Sequence, residues 1–264
     1  MNRLTLPFDV LVFELRRSFT VGRLAIWMFL TLFPVVIVAT MMGIVRYNLG
    51  SDYNAQDAVK PFGMAIYFLI PEVCCLLGLL LWATPAVSTE IEGQTWIYLT
   101  SRSAGRTSVV FGKYLTAVIW TLSATLASLA VCLAIVGPTI ALEIGWVLIL
   151  LTFLSCVVHA ALYILIGVFF YRRTMVAAVM YTLIVEYGVS FIPAIVNRLT
   201  INYRLRGLLA DWMQWEEARS NAEVLFGSEP SSTHLLVMSG MTVLLIGASL
   251  YRVQRTDYAM TQEG

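Results

Sequence analysis

Two carboxylates occupy places where water is scarce. Glu72 lies inside the apolar run 62–85, and Glu186 inside the run 175–196. A charge at the centre of a bilayer costs roughly 2.5–3.5 kcal/mol even on the mildest scales. Such residues therefore face a bundle interior or a water-filled cavity, and each is a functional-site candidate. The competing reading is a hydrogen-bonded glutamic acid that fixes helix packing. His159, in a third apolar run, is a possible partner for either carboxylate. Glu72, His159 and Glu186 together are the candidate polar lining of a translocation path.

Other chemistry is missing its parts. A nucleotide-binding loop needs G-x-x-x-x-G-K-[ST], and Gly105-Arg106-Thr107-Ser108 lacks both the glycine spacing and the lysine. ATP hydrolysis by that route is excluded, and no enzymatic activity is expected of the chain. His159 and His234 are isolated, with no H-E-x-x-H pair to bind zinc, and no G-x-S-x-G elbow is present. Cys74, Cys75, Cys132 and Cys156 all fall in apolar runs without metal-ligand or disulfide spacing, so they read as small apolar fillers.

The elements that must position these groups are membrane helices. Of 264 residues, 59% are hydrophobic and 12% charged, which no soluble globule of this size requires. About 20 apolar residues cross a bilayer as a helix, whose backbone satisfies itself locally. The expected fold is an all-α membrane protein, a single domain over residues 1–264 with six spans near 24–45, 62–85, 114–137, 146–170, 175–196 and 234–251. With the N-terminus inside, eleven Lys and Arg fall on the cytoplasmic side and six outside. That favours both termini in the cytoplasm. The first apolar span is too long for a cleavable signal peptide and lacks its cleavage pattern.

Three segments outside the spans are structured by pattern. Residues 4–19 place Leu4, Phe8, Leu11, Leu15 and Phe19 on one stripe, with Asp9, Arg16 and Arg17 off it, which predicts an amphipathic interfacial helix. Residues 88–113 contain Thr89-x-x-Glu92, the spacing of a capping box, then Ile91, Thr95, Tyr98 and Leu99 on one face and Gly105 as a stop. Residues 197–233 carry Leu205, Leu208, Leu209 and Trp212 at helical spacing, predicting an outer-face helix that caps the bundle or covers an exit path. Pro34 and Pro71 are expected to kink the first two spans. The pairs Ser123–Ala127 and Ala124–Ser128 permit close helix approach within or between subunits.

The run Glu90, Glu92, Thr95, Leu99, Arg106, Gly112, Lys113 and Tyr114 resembles the cytoplasmic loop of type-2 ATP-binding-cassette transporter permeases. The likeness extends to the six-span layout, the N-terminal amphipathic helix and the long loop before the last span. Two departures concern the end of the short helix: Ser103 stands where the family usually has Pro, and Gln94 separates Gly93 from Thr95. The resemblance implies an exporter permease acting as a dimer, with itself or with a sister chain, in a bacterial-type plasma membrane. It implies a separate ATPase subunit that carries ATP and Mg, with no cofactor on this chain. Residues 89–101 would form the coupling helix. The ATPase contacts would be Glu90, Glu92, Thr95, Tyr98, Leu99, Arg102 and Arg106, with Arg172 and Arg173 as a secondary contact. Membrane lipids are the other expected partners, and nucleic acid is not one. Two rival readings stand beside it: a membrane anchor that transmits ATPase motion to another protein, and an intramembrane enzyme built on Glu72, His159 and Glu186.

Overall fold

The computed structural model describes residues 6–50, 54–92, 105–189, 195–220, 223 and 227–256. Among these every regular element is helical. A short first helix, α1 (Leu6–Ser18), precedes five helices long and apolar enough to cross a membrane. These are α2 (Val21–Leu49), α3 (Ala55–Ile91), α4 (Gly105–Val136), α5 (Pro138–Phe169) and, last in the chain, α8 (Ser231–Arg255). Between α5 and α8 lie a shorter apolar helix, α6 (Thr174–Gly188), and α7 (Ile201–Met213). The chain is an all-α protein built to be embedded in a membrane. Among the described residues five helices meet the length and hydropathy of a span, against six expected; within the run 175–196 the described helix is the shorter α6, and residues 190–194 lie outside the described residues.

The observed helices outrun the predicted spans because charged helix ends read as loop. Gly105, expected to stop a helix, begins α4 instead, and Arg106 and Lys113 lie inside its first turns. Thr89 does not cap a helix start: its hydroxyl donates to Pro85 O at 2.8 Å, the bond of a residue already inside a helix. Pro34 is buried in α2 without interrupting it. Pro71 acts more strongly. Lacking an N–H, it cannot continue the ordinary ladder, and α3 widens into a π-helical stretch over Phe68–Cys74, where Cys75 N–H reaches back five residues to Ile70 O. A second widened stretch, Thr182–Gly188, ends α6.

α5 and the middle of α3 form the interior of the bundle, and α2 and α8 expose most of their apolar surface. The small face of α4 packs within the chain: Trp27 Nε1–H donates to Ser123 Oγ at 3.0 Å, and Thr31 Oγ1 lies 3.3 Å from Ala124 O. Two glycines are required by geometry. Gly137, the single residue between α4 and α5, has φ +98° and ψ 166°, a region essentially closed to other residues. At Gly167 an added Cβ would lie 2.6 Å from Thr84 O, so α5 meets the backbone of α3 there only because no side chain intervenes.

Candidate functional site

Both buried carboxylates, Glu72 and Glu186, sit in the two widened helical stretches, and both are used by the segment that follows α6. Glu72 is wholly buried and accepts a two-pronged bond from Arg206 of α7, Nε to Oε1 at 2.5 Å and Nη2 to Oε2 at 2.9 Å. The parallel fork is the geometry in which guanidinium and carboxylate bind most strongly. Glu186 caps the start of α7, its oxygens accepting from the backbone amides of Ile201 at 3.4 Å and Asn202 at 3.1 Å. A carboxylate at a helix N-terminus satisfies orphan amides and opposes the positive end of the helix dipole. Thr200 completes that cap through Tyr203 N–H at 3.3 Å. One carboxylate therefore grips the middle of α7 and the other its first turn.

His159 joins neither. Its Nδ1 lies 3.0 Å from Ser155 O and 3.2 Å from Ser155 Oγ, and the same hydroxyl donates to Pro71 O at 2.6 Å. The histidine thus supports the widened turn next to Glu72 without touching the carboxylate. A cavity of about 210 Å³ adjoins the ion pair, lined by Tyr67, Phe68, Glu72, Arg206, Leu209 and Arg219. A carboxylate–guanidinium pair beside such a space can orient a polar group or stay closed as a structural clasp.

Beyond α7 the segment is tied down by charge. Arg204 binds Glu229 at 2.5 Å, and Arg219 binds Asp211 at 3.0 Å, Glu216 at 2.7 Å and Glu223 at 2.8 Å. His234 of α8 faces Glu223 at 3.8 Å. Burial alone would raise the Glu223 carboxyl, but His234 and Arg219 outweigh it and hold the group below the ordinary carboxylate range. Lys60 lowers the exposed Glu217 by the same kind of pairing. A carboxyl depressed in the folded state stabilises the fold above its unfolded pKa, about 4.3, and loses that contribution as pH falls through the lower folded value. The melting temperature of the purified protein should therefore fall on acidification below about pH 4, and less steeply for Glu223→Gln. Equal acid slopes for the two proteins would disprove the role of Glu223.

At the opposite end of α3 a second polar cluster is buried. Lys113 Nζ lies 3.0 Å from Glu90 Oε1 and 3.3 Å from Glu14 Oε1, all three side chains being nearly inaccessible. Arg17 reaches Glu90 at 3.1 Å from a more exposed position. α1 thus binds to α3 and α4 through charge, and its packed face carries Glu14 and Ser18 while Val12 and Phe13 are exposed. Of the predicted stripe, Leu11 and Leu15 are partly buried on this same face, Leu15 against the core, and Phe19 is exposed against the Trp120 ring at 5.2 Å; Leu4 and the side chain of Phe8 lie outside the described residues.

The expected ATPase contacts separate accordingly. Glu90 is turned inward and paired with Lys113 and Arg17 within the chain. Arg106 donates to Val253 O at 3.4 Å and Gln254 O at 3.2 Å, joining the start of α4 to the end of α8. Arg172 and Arg173 lie exposed in the turn between α5 and α6. Ser88 Oγ and Thr174 Oγ1, 3.3 Å apart, bring that turn next to the end of α3. Thr95, Tyr98, Leu99 and Arg102 fall outside the described residues, as does the side chain of Glu92. Arg206, Lys113 and Glu14 are what the sequence reading missed as site residues; a need for countercharge at Glu72 was the available signal for the first. No protein-family model and no curated protein matches the chain.

Proposed function

We propose that the chain is the membrane subunit of an ATP-binding-cassette exporter of the type-2 permease class, paired with a second permease chain and driven by a separate ATPase. It would reside in a bacterial-type plasma membrane with both termini in the cytoplasm. The observation that carries this reading is the buried Glu14–Lys113–Glu90 cluster. It clasps both flanks of segment 93–104 to α1, so that a push on that segment reaches α1, α3 and α4 together. α3 then connects Glu90 to Glu72 across the turn at Ala83–Thr84, and Arg206 links it to α7. An ATPase can bias such a lever only by contacting its two positions differently, because a ligand that favours neither state shifts nothing.

ATP and Mg belong to the partner on this reading. This chain would contribute the lever, the Arg172–Arg173 turn as a second contact, and a path in which Glu72, His159 and Glu186 set the polar lining. A second reading, a membrane anchor that passes ATPase motion to another protein, is favoured by one observation: Glu72 and Glu186 are both engaged within the chain. Purification of the tagged chain from its native membrane in mild detergent, with mass spectrometry of what co-elutes, tests the shared premise. A stoichiometric Walker-type ATPase, lost in the Glu92→Ala/Tyr98→Ala protein, is the expected result. Its absence in several mild detergents would overturn both readings.

A further inference from the structure

The cations at the two ends of the bundle have different company. At the end that carries α7, Lys60, Arg198, Arg204, Arg206 and Arg219 each pair with a carboxylate of the chain. Where α5 and α8 end, Arg252 and Arg255 are exposed, and among the described residues no carboxylate pairs with either. Each lies instead over an aromatic ring, the Arg252 guanidinium 5.2 Å from the Phe169 centroid and that of Arg255 4.6 Å from the Tyr251 centroid. A guanidinium stacked on a ring is held by the ring quadrupole and keeps its planar fork of N–H donors for another group. Those donors are not spent on closing α8, because Arg106 takes the Val253 and Gln254 carbonyls.

The rings specify the partner. Phe169, Phe170 and Tyr251 are between 47% and 57% exposed beside the cations, so apolar and cationic surface stand at one height. A cavity of about 340 Å³ continues that surface into the turn beyond α5, lined by Phe169, Phe170, Tyr171, Arg172 and Arg173. An acidic protein face would supply oxyanions but would set polar groups against the exposed rings. The boundary of a bilayer supplies both, acyl chains beneath a layer of phosphates, and long basic and aromatic side chains at helix ends suit it. We propose that the ends of α5 and α8 form a docking surface for anionic phospholipid, with the phosphate held by Arg252 and Arg255 and the acyl chains along Phe169 and Phe170. Membrane embedding of α5 and α8 is all that this requires; the exporter reading stands or falls separately.

The full-length protein in neutral detergent supplies the test, with native mass spectrometry and thermal melting as readouts. Probes are dioleoyl-phosphatidylglycerol and dioleoyl-phosphatidylcholine, which share acyl chains and differ in net charge. Phosphatidylglycerol should be retained more strongly and should raise the melting temperature further, and added salt should shrink both differences. Arg252→Gln and Arg255→Gln should each weaken its retention about fivefold, the contribution of one basic side chain at an anionic lipid surface. The double variant should melt as the wild type does without lipid, and should lose the preference for phosphatidylglycerol. Equal retention of both lipids by the wild type, or an undiminished preference in the double variant, would overturn the proposal. So would a double variant that melts lower by one margin with and without phosphatidylglycerol, which would assign the arginines to helix stability. Loss of a co-purifying ATPase with lipid retention unchanged would give them to a protein partner and overturn it equally.

Discussion

Arg206→Ala should be among the most destabilising single substitutions in the molecule, at about 3–5 kcal/mol, the usual cost of removing one partner from a buried ion pair. The cost arises less from the lost attraction than from the Glu72 carboxylate left behind, which has 0% exposure. Arg206 keeps 29% of its side chain accessible, which tempers the Coulomb part and favours the lower end of that range. The double variant Glu72→Met/Arg206→Met should recover most of the stability, since apolar replacement of a whole buried pair is often neutral. Denaturant unfolding of the purified proteins in detergent measures both. If the double variant unfolds as readily as Arg206→Ala, the clasp is not what the stability depends on.

Lys113→Met should release α1. Without the ammonium, Glu14 and Glu90 share one buried site as like charges beside Arg17, whose side chain is 58% exposed. Losing the central partner of such a cluster costs about 3–5 kcal/mol. Part of that relief is available locally, by lifting α1 away from α4. Amide exchange over Leu6–Ser18 should accelerate by about a hundredfold while the interior of α5 is unaffected, because local openings need not involve the whole fold. Adding Glu14→Gln and Glu90→Gln should restore slow exchange. Uniform acceleration along every helix would show that α1 is not a separately opening unit.

These two clusters mark the boundary of what the sequence makes legible. Helical class, long apolar elements and the inward orientation of Glu72 follow from composition and from the cost of an isolated charge in hydrocarbon, which are local properties. The partner of Glu72 stands 134 residues away, on a helix whose leucine stripe identifies its apolar face but not what its arginine touches. By pattern Lys113 and Arg106 read as loop, because helix ends carrying charge are indistinguishable from the loop itself. Gly105 likewise fits a helix stop or a helix start, and only the packing of α4 against α1 and α8 decides. The widened stretch at Pro71 was foreseeable as a disturbance, though not in kind. At Glu186 no proline announces one.

Gly137 bears on how the chain is made. One residue separates two 32-residue helices that pack along each other, and each is roughly 48 Å long at 1.5 Å per residue. No stretch of chain remains between them that could stay behind in a different compartment. On the multi-pass reading proposed above, α4 and α5 enter the membrane as one hairpin with opposite orientations. Inverting either helix alone is sterically closed. Positive charges added beside α4 would reorient the pair together or neither.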